Sequence, residues 1–337
     1  MVTGPDVSVI IPAYQAAETI DRCLDALARQ TVPWERYEVL VVDDGSSDGT
    51  PARVQAHAGV RLLRQAHKGP AAARNLGVEQ ARGEIVLFTD ADCEPLPDWI
   101  ERLAAALDDA AVGVKGAYLT RQRALVARFV QLEYEDKYDR MAKEPEIDFV
   151  DTYAAGYRRD VFLALGGFET AFPVASVEDQ EFSFRLARQG YRMVFIPEAR
   201  VYHLGHARGI WAYCRKKFRI GYWKVMVHRR HPDKLWRDSH TPQVLKAQIL
   251  LSGLAALCLV AGLAWPPLWW AAGALALLFL LTTVPFVGKA WGKDVPVALV
   301  SPGLLLLRAL ALGSGFAVGL VANLGSRDPW GETDRNG

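Results

Sequence analysis

Cysteine is scarce: Cys23, Cys93, Cys214 and Cys258 are the only four in 337 residues, with no Cys-x-x-Cys and no paired spacing. That scatter argues against a disulfide framework and a structural zinc site, and reduced thiols suit a cytoplasmic domain. Neither sign of charge is in excess. The 39 Lys and Arg against 38 Asp and Glu leave a formal net charge of +1, so the global balance does not point to nucleic acid. No G-x-G-x-x-G follows the first apolar run and there is no G-x-x-x-x-G-K-[ST], which leaves out the dinucleotide fingerprint and the P-loop. Residues Met1 to Asp6 lack the basic stretch and apolar core of a signal peptide, so the first two-thirds are expected to stay unexported.

The most informative absence is local. Between Ala247 and Gly288 there is no Asp, Glu, Lys, Arg or His, and between Val295 and Ser326 Arg308 is the only charge. A membrane-crossing helix needs roughly 20 mostly apolar residues. The first run is long enough for two, divided by Pro266-Pro267. Spans are expected at about 245–265, 267–287 and 297–323, within a membrane region 243–325 followed by a tail 326–337. Trp265, Trp269 and Trp270 gather at the expected hairpin tip, where amphipathic rings favour the interface. Lys234, Arg237 and Lys246 precede the first span, and Lys289 and Lys293 separate the second from the third. The positive-inside rule then puts the soluble domain in the cytoplasm of a multi-pass plasma-membrane protein, and three spans leave the C-terminus outside. Arg308 is expected to face protein or water; a lipid phosphate and a structural partner such as a backbone carbonyl are both open to it.

The first two-thirds read as alternating strands and helices. Val7–Ile11, Tyr37–Val42, Val60–Leu63 and Ile85–Phe88 are short apolar runs, with helices expected over about 17–29 and 71–81. This alternation argues for an α/β layer with a largely parallel sheet. Ligands of such sheets sit at the carboxyl ends of the strands. Here those ends carry Pro12 to Tyr14, Asp43-Asp44 and Asp90-Ala91-Asp92.

Acids around a polyanionic nucleotide make sense only with a cation between them. Residues two apart on an extended segment point the same way, so Asp90 and Asp92 can approach one Mg2+ or Mn2+. Two solvated loop acids are the plainer alternative. Asp43 or Asp44 can accept the imide N–H of a uracil-like base, or simply belong to a turn feeding the next helix. Arg74, reached through the loop Lys68-Gly69-Pro70, can meet a diphosphate, orient an acid or face solvent. His203, in Tyr202-His203-Leu204-Gly205-His206, is open as a third metal ligand or as a surface histidine. The aromatic and basic stretch between Gly209 and Arg230, inside an interval 206–242, suits a membrane interface, and also an ordinary packing helix.

Taken together, Val9-Ile-Ile-Pro-Ala-Tyr14, Val42-Asp-Asp-Gly-Ser-Ser-Asp48, Lys68-Gly-Pro-Ala-Ala-Ala-Arg-Asn-Leu-Gly77 and Thr89-Asp-Ala-Asp92 resemble the family 2 glycosyltransferases of the GT-A fold. Gly166-Gly-Phe168 and Glu178-Asp179 followed by Arg185-Leu186 extend the match, which covers about residues 5–205, within an expected catalytic domain 1–205. The resemblance implies a Rossmann-like mixed sheet and inverting sugar transfer from an activated nucleotide, with UDP favoured over GDP. It also implies donor binding by Pro12, Tyr14 and Asp44, with Asp43, Lys68, Arg74 and Asp90 around them. Metal binding falls to Asp90 and Asp92, and the base is Asp179 with Glu178 beside it. Those two acids also complement the positive end of the helix that starts there.

A sugar hydroxyl needs a base and a polyprenyl phosphate does not, so Glu178-Asp179 tilts the acceptor towards a hydroxyl of a lipid-linked glycan. The processive family members' Gln-x-x-Arg-Trp is absent, which disfavours a polymerising enzyme with its own channel. A polyprenyl-phosphate glycosyltransferase and a non-catalytic membrane scaffold with a retained fold are the competing readings.

Overall fold

The computed structural model describes residues 4–172, 177–235 and 241–323. Arg237 and the tail 326–337 lie outside the described residues. The chain divides into two compact units, 1–121 with 138–206, and 122–137 with 207–337. The segment 122–137, inside the interval 1–205 read from sequence as one domain, is thus grouped with the second unit.

In the first unit the strands are β1 (Val7–Ala13), β2 (Tyr37–Asp43), β3 (Val60–Arg64), β4 (Ile85–Thr89), β5 (Cys93–Pro95), β6 (Ala111–Leu119), β7 (Ala154–Arg158) and β8 (Arg192–His203). They form one sheet in the order β3-β2-β1-β4-β7-β6-β8-β5. All of β2, and all of β1 except Pro12, is buried. A strand covered on both faces has no reason to alternate, which is why these two read as apolar runs. The polar residues inside them, Ser8 and Glu38, are buried and paired with each other, Ser8 Oγ donating to Glu38 Oε1 at 2.8 Å. β1, β2, β3 and β4 pair in parallel, whereas β7 is antiparallel to both β4 and β6. The sheet is therefore mixed: its first half is parallel, as the alternation implies, and its second half keeps one parallel pair, β6 with β8.

The helices of this unit are α1 (Ile20–Leu27), α2 (Thr50–Ala56), α3 (Pro70–Gln80), α4 (Trp99–Ala105), α6 (Arg159–Ala164) and α7 (Glu178–Arg188). α5 (Leu125–Met141) precedes β7. α1 is shorter than the 17–29 expected because its preceding turn is tied to the loop after β2, Ala16 N donating to Thr50 Oγ1 at 2.8 Å and Ala17 N to Asp48 Oδ2 at 3.1 Å. α3 lies tight on β1. A Cβ on Gly77 would come within 2.4 Å of Ile10 Cγ2, so only glycine permits that approach. Because β1, β2 and β4 run the same way in register (Ala13 opposite Asp43, Ile10 opposite Phe88), their carboxyl ends bring Tyr14, Asp44 and Asp90 to one edge.

The second unit holds α8 (Ile210–Arg230), α9 (Gln243–Ala261), α10 (Leu268–Trp291) and α11 (Val295–Ala322), with residues 125–137 of α5. α9, α10 and α11 are each long and apolar enough to cross a membrane. Trp265 and Trp270 are exposed at the turn between α9 and α10. Of the two partners open to Arg308 from sequence, the structure shows a structural one, and it is made of side chains. Its Nη1 donates to Glu133 Oε1 at 2.8 Å and its Nη2 to Gln248 Oε1 at 2.7 Å. The Glu133 carboxylate also accepts from Tyr213 at 3.0 Å and lies 3.3 Å from Lys217 Nζ. Those neighbouring cations, Lys217 then Arg308, outweigh the cost of burial and keep the Glu133 carboxyl below its ordinary range.

Candidate active site

The loop after β2 shows how the donor edge is fixed. Asp44 is buried, and its two oxygens take three hydrogen bonds, from Gln65 Nε2 at 2.7 Å, Lys68 N at 2.8 Å and Gly69 N at 2.9 Å. His67 Nδ1 lies 2.9 Å from Oδ2 and is hydrogen-bonded to the Asp44 backbone carbonyl at 3.2 Å. A carboxylate offers about four lone-pair positions, so most of Asp44 is taken up by its own loop. Asp43 accepts from Ser46 N and Arg64 Nε, each at 3.2 Å. Gly45 has φ +80°, and a Cβ there would sit 3.0 Å from His67 N, so the turn needs glycine. Tyr14 stacks on His67, ring centroids 4.2 Å apart, and is half exposed at the end of β1 beyond Pro12. The Lys68 side chain is exposed, and its backbone N–H is what reaches Asp44.

Arg74, on the first half of α3, is 3% exposed. It bridges two acids from different elements, Asp90 after β4 at 2.9 Å and Glu178 at the start of α7 at 3.0 Å. Of the three sequence-level alternatives, the geometry matches orienting acids. Its Nε is buried without a hydrogen-bond partner among the described residues. Asn75, the next residue, exchanges two hydrogen bonds with Phe168 of the Gly166-Gly-Phe168 turn. One turn of α3 therefore ties the acidic loop to the segment leading to α7.

Asp179 is the second residue of α7, half-buried, and accepts from Gln180 N at 2.8 Å. Burial, followed by the charge of Glu178, pushes its carboxyl up to about 7 against the pull of Arg74 and Lys115. A helix N-terminus alone would lower a carboxyl, so the burial and the adjacent acid win. Ser183 holds the turn, its Oγ donating to Asp179 O at 2.7 Å and accepting from Val150 N at 3.1 Å.

Asp92 and His203 come together although 111 positions separate them, because β5 pairs antiparallel with the end of β8, Cys93 opposite His203. His203 Nδ1 is 3.6 Å from Asp92 Oδ2. Asp92, Cys93 and His203 place a donor atom each within 4.8 Å of one another. A 3.6 Å span is what two ligands at about 2.1 Å from one ion would show. A Cβ at Gly205 would fall 2.1 Å from Asp92 Oδ2, so glycine keeps that oxygen's surroundings clear. Cys93 is a poor third ligand: burial, then the charges of Asp92 and Asp90, hold its thiol well above the ordinary range. Asp92 and His203 are donor types that fit a hard divalent cation, and His203 Nδ1, which accepts from Gly205 N at 3.0 Å, would exchange that hydrogen bond for the ion. Asp90 is engaged by Arg74.

Three groups had no sequence-level role. His67 is the stacking partner of Tyr14; its place one residue before Lys68 was a signal. His206 stacks on His203, centroids 4.6 Å apart. Lys115 is fully buried on β6, paired with Asp151 and donating to Tyr153 Oη at 3.0 Å. A lone lysine inside an apolar strand was the visible sign of that buried pair.

The sequence pattern described as Glycosyl transferase family 2 matches residues 8–166. Glycosyltransferase AglE of Haloferax volcanii is 32% identical over 233 residues, 67% of this chain and 75% of the relative. The chain belongs to glycosyl transferase family 2. The enzyme is a glycosyltransferase, and its first unit is a GT-A domain. Pre-mycofactocin glycosyltransferase of Mycobacterium tuberculosis is 29% identical over 263 residues, 74% of this chain and 54% of the relative. The solved structure of the mannosyltransferase PcManGT from Pyrobaculum calidifontis, in complex with GDP-Man and Mn2+, superimposes with a TM-score of 0.53 at 22% identity, covering 95% of this chain and 87% of that one. That likeness is one of fold.

Proposed function

We propose that this family 2 enzyme transfers a sugar, with inversion, from a nucleotide-sugar to a hydroxyl of a membrane-associated, lipid-linked glycan. A UDP-sugar is favoured as donor, although PcManGT holds GDP-Man. The observation that carries the reading is Asp179: half-open at the head of α7, raised to about 7, and joined to the acidic loop through Glu178, Arg74 and Asp90. A base poised near neutrality suits removal of a hydroxyl proton. The acceptor oxygen attacks the anomeric carbon opposite the leaving diphosphate; the new C–O bond forms as the bond to phosphate oxygen breaks, and the hydroxyl proton passes to Asp179.

Tyr14 and His67 supply a surface for the base, and Pro12, Asp43 and Asp44 fix its edge by shaping the loop. The Lys68 side chain is free to meet phosphate. Asp92 and His203, with Asp90 beside them, would hold Mn2+ or Mg2+, which neutralises charge on the departing diphosphate. Arg74 bridges Asp90 and Glu178 and so orients both. The catalytic unit lies on the cytoplasmic side, as the Lys and Arg flanking the apolar helices favour.

The test is transfer by purified enzyme in detergent, with UDP- and GDP-sugars, offered either a lipid-linked glycan or a polyprenyl phosphate. Transfer to the glycan that is lost in Asp179→Asn supports the reading. Transfer to polyprenyl phosphate that survives Asp179→Asn replaces it with the lipid-linked monosaccharide reaction. No transfer or donor hydrolysis across the panel leaves a scaffold.

A further inference from the structure

The three apolar helices are not in equivalent surroundings. α9 and α10 expose large apolar side chains along their whole lengths, among them Leu250, Leu254, Leu257, Leu277, Leu281 and Val284. α11 has two faces. Val295, Leu299, Leu306, Leu310, Val318 and Val321 are exposed and fall on one side at helical spacing. Val297, Ser301, Leu304, Leu305 and Leu312 are buried on the other.

The buried face packs on apolar side chains of α5, α8 and α10, among them Val126, Phe129, Tyr213 and Phe279, with ion pairs set between them. At its start, Asp294 pairs with Arg128 of α5 at 3.1 Å. In its middle, Arg308 meets Glu133, which lies 3.3 Å from Lys217 of α8. Its second half lies against α8 backbone to backbone: a Cβ on Gly315 would be 2.1 Å from Phe218 O, one on Gly319 2.5 Å from Tyr222 O, and one on Gly221 2.2 Å from Leu312 O. Arg229 donates to Asn323 O at 3.0 Å. α8 therefore runs beside α11 to its end, and it carries Lys216, Lys217, Arg219, Lys224, Arg229 and Arg230.

The register with α9 is equally telling. α9 and α11 both begin on the side where α10 ends. A helix rises about 1.5 Å per residue, so Gly313 lies roughly 27 Å along α11 while Ile249 lies only about 9 Å along α9. Yet a Cβ on Gly313 would touch Ile249 Cγ2 at 3.0 Å, and Arg308 holds Gln248. Two helices that entered a bilayer at one level and ran side by side would meet at equal distances along their lengths. α11 instead passes across the foot of α9.

We infer that α11 does not cross the bilayer: it lies with α8 in the plane of the leaflet at which α9 begins, its exposed apolar stripe in the acyl region and the exposed basic side chains of α8, such as Lys216 and Arg219, on anionic headgroups. A helix with one apolar face and a cationic flank takes this position. A crossing α11 would draw the Lys and Arg of α8 into hydrocarbon, where they are costly. Only the α9–α10 hairpin spans, and the C-terminal end of α11 returns to the side of residues 1–242. This replaces the external C-terminus expected from three spans.

Protease protection of the full-length protein tests the inference without reference to activity. One version carries an epitope after Gly337 and another carries it between Pro266 and Pro267. In-plane α11 predicts that the terminal epitope is cut only in inverted membrane vesicles and the hairpin epitope only from outside intact spheroplasts. Cutting of the terminal epitope from outside would overturn it. So would cutting of the hairpin epitope in inverted vesicles, because the hairpin would then not cross.

Discussion

The two acidic edges of the GT-A unit solve the same electrostatic problem differently. After β2, Asp44 is met by backbone N–H groups and short side chains of one loop, within 25 residues of itself. Near α7, Glu178 is met by a guanidinium 104 positions away, and Asp179 has no cation in hydrogen-bond contact among the described residues. The first edge is a fixed shape. The second keeps one carboxyl close to its titration point, which a structural acid has no use for and a general base needs. Shape on one side and a poised proton acceptor on the other is the division of labour expected of a transferase that holds a nucleotide and activates a hydroxyl.

Substitutions can break that contrast, with unequal force. Asp92→Ala removes the best-placed ligand for a cation and is expected to lower transfer by roughly 10³-fold, with circular dichroism unchanged. Full activity of this variant in chelator would remove the metal from the account. Asp179→Asn is expected to cost roughly 10²- to 10⁴-fold in kcat with a hydroxyl acceptor. Its stability should not fall. A carboxyl whose folded value lies above its unfolded 3.8 binds more protons in the native state between about pH 4 and 7, so stability drops as pH rises through that window. The amide removes this drop, and denaturation at pH 5 and pH 8 should show the wild type changing more than the variant.

Arg74→Leu leaves Asp90 and Glu178 without their shared cation and is expected to destabilise by about 3–5 kcal/mol, read by denaturant titration. A loss below about 1 kcal/mol would mean that solvent, not Arg74, balances these acids. Asp44→Asn sharpens the comparison from the other side. It turns an amide towards N–H donors in a buried loop, at a cost of about 1–3 kcal/mol, and should raise the donor KM about tenfold while leaving the pH profile in place.

Much of this was legible in the residues. The buried strands β1 and β2 declared themselves as short runs rich in Val and Ile, each with one polar residue, Ser8 or Glu38, before its acidic or proline end, and the acids at the strand ends followed from strand direction. Asp90, Asp92, Glu178 and Asp179 stood in motifs. What a linear reading could not supply were pairings set by the sheet: His203 reaches Asp92 only because β5 lies on β8, and Lys115 finds Asp151 and Tyr153 across 36 and 38 positions. Asp44 looked like a free acceptor because its donors are mostly backbone N–H groups, which every sequence has. The surroundings of α11 were hidden for a different reason. Hydropathy records what a helix is made of and not what lies against it, and Glu133 is 175 positions from Arg308.

The most direct measurement is the pH dependence of kcat/KM for wild type and Asp179→Asn with the same donor and acceptor. The account predicts a wild-type rate that climbs about tenfold per pH unit below a midpoint near 7 and levels above it, with that limb missing in the variant. A wild-type profile flat between pH 5 and 8, or the same limb retained in Asp179→Asn, would contradict Asp179 as the base.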